Sequence, residues 1–507
     1  MTTTQKNYQK LQQLSREIAT LDSIHRLLEW DQETYMPKKG IGYRALQLES
    51  IASHAHKQKT SPKFLKALAA LIDINSGEIF DTSLSSASQA ALKEWRRDFI
   101  NDKKLPGSFV KKWTKTIAHG IPIWAEAKQH GNFKMFAPQL EKIVTLCKKK
   151  ADLLGFHNHP YDALVDLFEP GMTVATLTPL FERLKIALTS LLKKIASCEE
   201  VPYHFLEGDF SHQKQLAFAR LILTTMGFSE EDSRLDLSNH PFCAGINPRD
   251  MRLTTRVHPS QLMFNIFASI HEGGHGLYEL GLPEEHYGTP LCEAVSLGIH
   301  ESQSLFWEKR IGKSQAFWQH FYPLLQKEFP EKLDAIYFDD FYRGINRIHP
   351  SLIRIESDEI AYCLHVILRF EIEKGLIEGS IKVKDLPEIW NEKMRTYLGV
   401  IPHSDTDGCL QDIHWALGAI GYFPTYALGN LYSVQFFATF EQTTPTWKHE
   451  AKEGNLSPIL SWLTENIHRH GKEFSAEELS KRITGHPLSE KPFIAYLENK
   501  YKAIYHF

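Results

Sequence analysis

The chain has 507 residues, 42% of them hydrophobic, with 30 Phe, 18 Tyr and 10 Trp, enough for a large core and unlike a disordered segment. A formal net charge of −3 and a pI near 6.8 lack the basic excess of proteins that bind nucleic acid or membrane surfaces, so neither partner is expected. The six cysteines, Cys147, Cys198, Cys243, Cys292, Cys363 and Cys409, include no C-x-x-C pair, which excludes the common cysteine-ligated structural metal sites and reads as isolated reduced thiols.

The first residues, MTTTQKNYQKLQQLSREIA, are polar and lack the apolar centre of a signal peptide. No uninterrupted apolar run reaches the roughly 18 residues of a membrane span. A soluble, cytoplasmic protein is expected. Residues 7–30 place Leu11, Leu14, Ile18, Leu21, Ile24 and Leu28 three or four apart, a helical stripe that Met36-Pro37 ends. Residues 139–154, 176–196, 212–226, 354–377 and 457–470 repeat that periodicity, with breaks such as Glu169-Pro170-Gly171 between them. Residues 251–257, Met-Arg-Leu-Thr-Thr-Arg-Val, alternate and are rich in strand formers. Length alone suggests about three domains. However, no repeat, low-complexity tract or flexible linker interrupts the chain. The expectation is one mainly α body over residues 1–507, with a small sheet and a shape compatible with two lobes flanking a cleft.

After that strand, Leu262, Met263, Ile266, Phe267 and Ile270 form an apolar helical face leading into His271-Glu272-Gly273-Gly274-His275. Two histidines four apart lie on one face of a helix, one turn from each other. Zinc takes imidazole nitrogens at about 2.0–2.1 Å in a tetrahedral shell, so the pair is half a site. Glu272 lies about 100° around the helix from His271 and can stand beside a metal as a proton carrier. Gly273, Gly274 and Gly276 each disfavour a helix by up to about 1 kcal/mol relative to Ala. Such a cluster calls for close approach by a neighbouring helix or substrate backbone, or else marks a broken helix. With 25 histidines in the chain, the motif alone does not establish a metal site.

A third ligand is needed. The metzincin continuation fails, because Tyr278 and Gly281 stand where it needs Gly and His. Glu279 is a further turn along the same helix and would not converge on the same ion. Glu284 and Glu285 lie in a Pro-Glu-Glu turn. Glu293 and Glu301 could each face back from a following antiparallel helix, and spacing does not choose between them.

With His300-Glu301-Ser302-Gln303 added to the preceding motifs, the chain resembles the M32 family of metallocarboxypeptidases. Its ordered motifs are matched by His240-Pro241-Phe242; by Asp250, Arg252 and Thr254; by His271 to His275; and by His300 to Gln303. They continue with Ile353, Arg354, Ser357 and Asp358, and with Gly408, Gln411, Asp412, His414 and Trp415. Residues 30–37, Trp-Asp-Gln-Glu-Thr-Tyr-Met-Pro, and 421–426, Gly-Tyr-Phe-Pro-Thr-Tyr, extend the likeness over nearly the whole chain. Gly273 and Ala416 are small departures. The resemblance implies an almost entirely helical fold with a deep groove and the metal at its base. It implies Glu301 as third zinc ligand beside His271 and His275, an open fourth position, release of single C-terminal residues and a homodimer. Another divalent ion such as Co2+ is compatible with the same ligands.

A carboxypeptidase must grip a free C-terminal carboxylate, and the fork of Arg354 suits that task, although an ion pair with Glu356 or Asp358 would also explain it. His240 is expected in an extended segment, lining the substrate pocket or packed in a turn. His414, Tyr422 and Tyr426 are candidates to stabilise the oxyanion, as well as ordinary core residues. Asp250 and Arg252 read as structural supports of an edge strand able to pair with substrate backbone. Gln411 and Asp412 are candidates to orient a zinc-bound imidazole, and Trp415 reads as core. Glu272 would take a proton from the attacking water and give it to the departing amine. The rivals are an endopeptidase or dipeptidase on the same site, a non-catalytic helical scaffold, and a degenerate relative, which would have lost a ligand or Glu272.

Overall fold

The computed structural model describes residues 1–507 as a mainly helical protein with one small sheet. Its first helix, Thr3–Thr34, starts in a capping box, with Thr2 and Gln5 each accepting from the other's backbone N–H. Leu11 and Ile18 from its apolar stripe pack with Phe64, Leu68 and Trp95 from the helices Pro62–Ala69 and Ser86–Lys104, forming a small core. The rest of the chain surrounds one large core, including Trp307, Trp318, Phe370 and Trp390. No helix is long and apolar enough to cross a membrane.

Helices Phe133–Leu154, Val174–Ala196 and His212–Met226 occupy the regions where periodicity predicts them. Two predicted elements are shorter than their apolar pattern. The segment from residue 354 begins as a single turn, Arg354–Glu356, and the helix proper runs Ala361–Glu378. The break is made by Asp358, whose Oδ1 accepts from the N–H groups of Ile360 and Ala361 as a cap does. The helix Ser457–Asn466 likewise stops before 470, and a six-residue turn ends it with Gly471 at φ 49°.

The sheet contains β1 (Ser233–Leu237), β2 (Cys243–Asn247) and β3 (Asp250–Thr255), in the order β1-β3-β2. The strand predicted from Met251 onward is β3, but it is central and not at an edge. It pairs parallel with β1 and antiparallel with β2, so both its backbone edges are taken and it is unavailable to substrate. Its burial explains the position: Met251, Leu253, Thr254 and Thr255 are all buried against the body. Asp250 and Arg252 pair with each other across 2.9 Å, and Arg252 also lies 4.5 Å from the Trp30 ring. With Tyr35 donating to Asp236 (2.5 Å), these contacts fix the first helix to the sheet.

Candidate metal centre

The helix Leu262–Gly281 carries His271, Glu272 and His275 and is unbroken through its glycines. Gly274 explains itself by close approach: a Cβ there would lie 2.6 Å from Ser304 Cα and 2.7 Å from the Gln303 carbonyl oxygen. A Cβ at Gly273 would meet Leu223 at 2.7 Å, and one at Gly276 would meet Leu253 and Phe228 at 3.0 Å. Gly274 therefore lets a second helix, Leu297–Leu305, press its backbone onto the histidine helix, while Gly273 and Gly276 make room for side chains of the helix His212–Met226, the segment after it and the sheet. The two run antiparallel, since Glu279 pairs with His300 while the earlier His271 pairs with the later Glu308.

That packing selects Glu301. Its Oε2 lies 3.4 Å from His275 Nε2 and 3.7 Å from His271 Nε2. One ligand atom from each of the three residues falls within 4.8 Å of the others. Ligands about 2.0–2.1 Å from a tetrahedral ion are about 3.3 Å apart, so the set fits a metal ion with little adjustment. Glu293 does not belong to it, being paired with Lys472 at 2.6 Å. Glu279 holds His300 Nε2 at 2.9 Å, and the His300 ring stacks on His275 with centroids 4.5 Å apart.

The charges around the ligand atoms differ sharply. Burial disfavours the charged form of His271, but Glu301 and Glu308 outweigh it and raise its pKa to about 9. Burial and the neighbouring His300 lower His275 to about 4. Glu272 is buried, which raises its carboxyl to about 7 against the opposing pull of His271. Burial thus favours the protonated form of Glu272, as return of a proton requires, while a bound cation and His271 favour the carboxylate that accepts one.

Arg354 is buried, and its partner is Asp412, not Glu356 or Asp358. Arg354 Nε and Nη2 donate to Asp412 Oδ1 at 3.2 and 2.9 Å, and Nη1 donates to Tyr362 Oη at 3.0 Å. Arg369 holds the other oxygen of Asp412, with Nε at 2.7 Å. Although burial opposes ionisation of Asp412, these two arginines keep its pKa well below the usual carboxylate range. Gln411 accepts from the Arg354 backbone N–H at 2.9 Å. Gln411 and Asp412 thus position Arg354 and do not orient a histidine of the metal helix; Glu308 contacts the outer nitrogen of His271 instead.

His414, Tyr422 and Tyr426 form one aromatic cluster, with His414 Nε2 3.2 Å from Tyr426 Oη and the two tyrosine rings 5.3 Å apart. The Arg354 guanidinium lies 4.7 Å from the Tyr426 ring. Burial raises both phenols, and the Glu301 charge adds to that, so they are protonated donors at neutral pH. Trp415 is core and donates to Glu373 at 2.8 Å. His240 is exposed in the β1–β2 connection, its side chain outside the cluster. A cavity of about 400 Å³ lined by Trp30, Gln32, Cys243, Gly245, Glu279 and His300 adjoins the histidine helix.

Residues beyond the sequence motifs complete the surroundings. Glu308 has no spacing signal except its position seven residues after Glu301, on nearly the same helical face. Arg369 shows as a lone cation in the apolar run Leu364 to Phe370. Tyr362, and Gly429 of the helix Pro424–Thr443 that packs on Glu301, carry no sequence signal that separates them from ordinary core residues.

Two imidazoles and a carboxylate gathered from antiparallel helices, beside a buried glutamate on the histidine helix, make a centre able to hold a metal ion, the arrangement a metallopeptidase needs. The chain belongs to the M32 family of metallocarboxypeptidases: residues 10–501 match the family model described as Carboxypeptidase Taq (M32) metallopeptidase. It is 39% identical to thermostable carboxypeptidase 1 of Thermus thermophilus, over 98% of this chain and 99% of that protein. It is 38% identical to carboxypeptidase 1 of Bacillus subtilis, over 97% of each. The M32 carboxypeptidase of Deinococcus radiodurans superposes with a TM-score of 0.95 at 33% identity, covering 99% of this chain and all of that one. The metallocarboxypeptidase 1 of Trypanosoma cruzi gives 0.92 at 34% identity, covering 98% and 99%.

Proposed function

We propose that this metallocarboxypeptidase releases single C-terminal residues from peptides with broad specificity, using Zn2+ held by His271, His275 and Glu301, with Glu272 as general base. The convergence of the three ligand atoms within 4.8 Å is the observation that carries this. A divalent ion bound there supplies Lewis acidity toward a water molecule and toward the scissile carbonyl.

The chain's own groups do the rest. Glu272 accepts a proton from the attacking water at its carboxylate and returns it to the leaving amine nitrogen. Burial favours the form that returns the proton, and a bound cation with His271 the form that accepts it. Tyr422 or Tyr426, held protonated, donates to the developing oxyanion, with His414 behind Tyr426. Arg354 has three of its five N–H groups engaged by Asp412 and Tyr362, leaving two for a terminal carboxylate. His240, exposed in the β1–β2 connection, is proposed to line the substrate's approach.

Hydrolysis of a blocked dipeptide with a free C-terminus, compared with its C-terminal amide, tests the exopeptidase assignment. The free acid is expected to be cleaved and the amide spared; equal rates would indicate an endopeptidase. We further propose a cytoplasmic homodimer, supported by six free, separated cysteines and by exposed Tyr35, Ile41, Tyr43 and Leu46, where the first helix ends and the next, Ile41–Lys59, begins. Light scattering on the purified protein would return twice the chain mass; the mass of one chain would refute the dimer.

A further inference from the structure

We propose that Glu308 is the positioning residue of the metal site, fixing His271 as an Nε2 ligand and placing a negative charge behind its ring. The inference rests on His271, His275 and Glu301 being the ligands.

Glu308 Oε2 lies 2.9 Å from His271 Nδ1, while His271 Nε2 faces Glu301. In the neutral imidazole that a metal requires, a carboxylate at that distance accepts a hydrogen bond from Nδ1–H, which leaves the Nε2 lone pair directed into the site. Glu308 is only 8% exposed, and its other partner is Lys309, whose Nζ lies 2.5 Å from Oε1. A buried carboxylate is retained only with good partners, and here one of the two is the candidate ligand.

The backbone is shaped to deliver it. After Leu305 the helix widens into a π-helical segment, Phe306–Ile311, an uncommon geometry that re-aims side chains and is frequent at functional sites. Phe306, Trp307 and Ile311 anchor the segment in the core, while Glu308 is directed to the histidine helix. The contrast with His275 is informative. Its Nδ1 is buried with no hydrogen-bond partner, so an outer carboxylate is not a general accompaniment of histidines here. The His275 ring is held by stacking on His300 instead. Glu308 lies outside all six sequence motifs.

The test is Zn2+ affinity of the full-length, metal-free protein, measured by chelator competition, with the visible spectrum of the Co2+ form as a probe of geometry. Glu308→Ala is expected to weaken Zn2+ binding by about 10- to 100-fold and to change the Co2+ spectrum. Glu308→Gln keeps the volume, but Lys309 draws the amide oxygen and turns the NH2 toward His271 Nδ1, favouring the wrong tautomer. It should therefore not restore affinity, whereas a packing role would be rescued by it. Native affinity in Glu308→Gln, or in a folded Glu308→Ala, overturns the proposal. His271→Ala is the control: if it also binds Zn2+ normally, the ligand assignment itself has failed, a separate outcome.

Discussion

Gly429 and Glu301 are packed so closely that a Cβ at Gly429 would lie 2.6 Å from Cγ and 2.8 Å from Cβ of Glu301. The helix Pro424–Thr443 therefore presses bare backbone onto Glu301, while Gly274 brings the histidine helix near Ser304 three residues further on. Glu301 is held on its own helix between two others, and its reach to the histidines follows from both close approaches. Gly429→Ala is expected to shift Glu301, at about 1–3 kcal/mol of overpacking, and to lower both metal affinity and activity. Gly42→Ala, with nothing within 4 Å of its added Cβ, is the neutral control. Metal titration of the two variants checks this; equal affinities would mean that Glu301 tolerates displacement.

Glu272→Gln should bind metal and fold as the parent does but lose at least about 100- to 10,000-fold in kcat, the range for a missing proton-transfer group. Single-turnover assays with metal content measured alongside decide it. Near-full activity would remove Glu272 from the general-base role.

Arg354→Lys keeps a charge for Asp412 but loses the fork. The expected loss in kcat/KM on free C-terminal substrates is about 30-fold or more, equivalent to about 2 kcal/mol. Any residual rate on the amidated peptide should be unaffected. Equal losses on both substrates would mean that Arg354 supports structure alone.

Glu169 gives a pH dependence of stability. Burial raises its carboxyl from near 4.5 to about 7, although Ser296, the Gly298 N–H and Thr425 donate to it. Between those values the folded protein holds a proton that the unfolded chain has released, so stability falls as pH rises through this window and levels off above it. The full effect is on the order of 3 kcal/mol. Glu169→Gln should flatten that slope. Urea midpoints from pH 4.5 to 8 measure it, and an unchanged difference between the two proteins would contradict the assignment.

How much was legible in the sequence follows from the range of the interactions involved. The histidine helix was readable because its 3.6-residue period and its motif are local. Glu301 was not separable from Glu293 by spacing, because the choice is made by the approach of Gly274 to Ser304 and by Lys472 capturing Glu293. The alternation at Met251–Thr255 identified a strand but not its neighbours, so β3 was expected at an edge and stands at the centre. For Arg354 the alternative to a carboxylate grip was an ion pair with Glu356 or Asp358 along a continuous helix. Asp358 instead caps the next helix, and the partner is Asp412, 58 residues away. The cap was visible in principle, as an acid three residues before Ala361, but the apolar period ran through it. Glu308 is set by a π-helical widening that no residue pattern announces.

The most direct measurement is the zinc content of Glu301→Gln and Glu293→Gln after dialysis against limiting metal. Loss of most bound zinc from Glu301→Gln, with about one equivalent kept by Glu293→Gln, is the expected result. A full equivalent retained by Glu301→Gln would contradict the His271, His275 and Glu301 site on which the proposed chemistry stands.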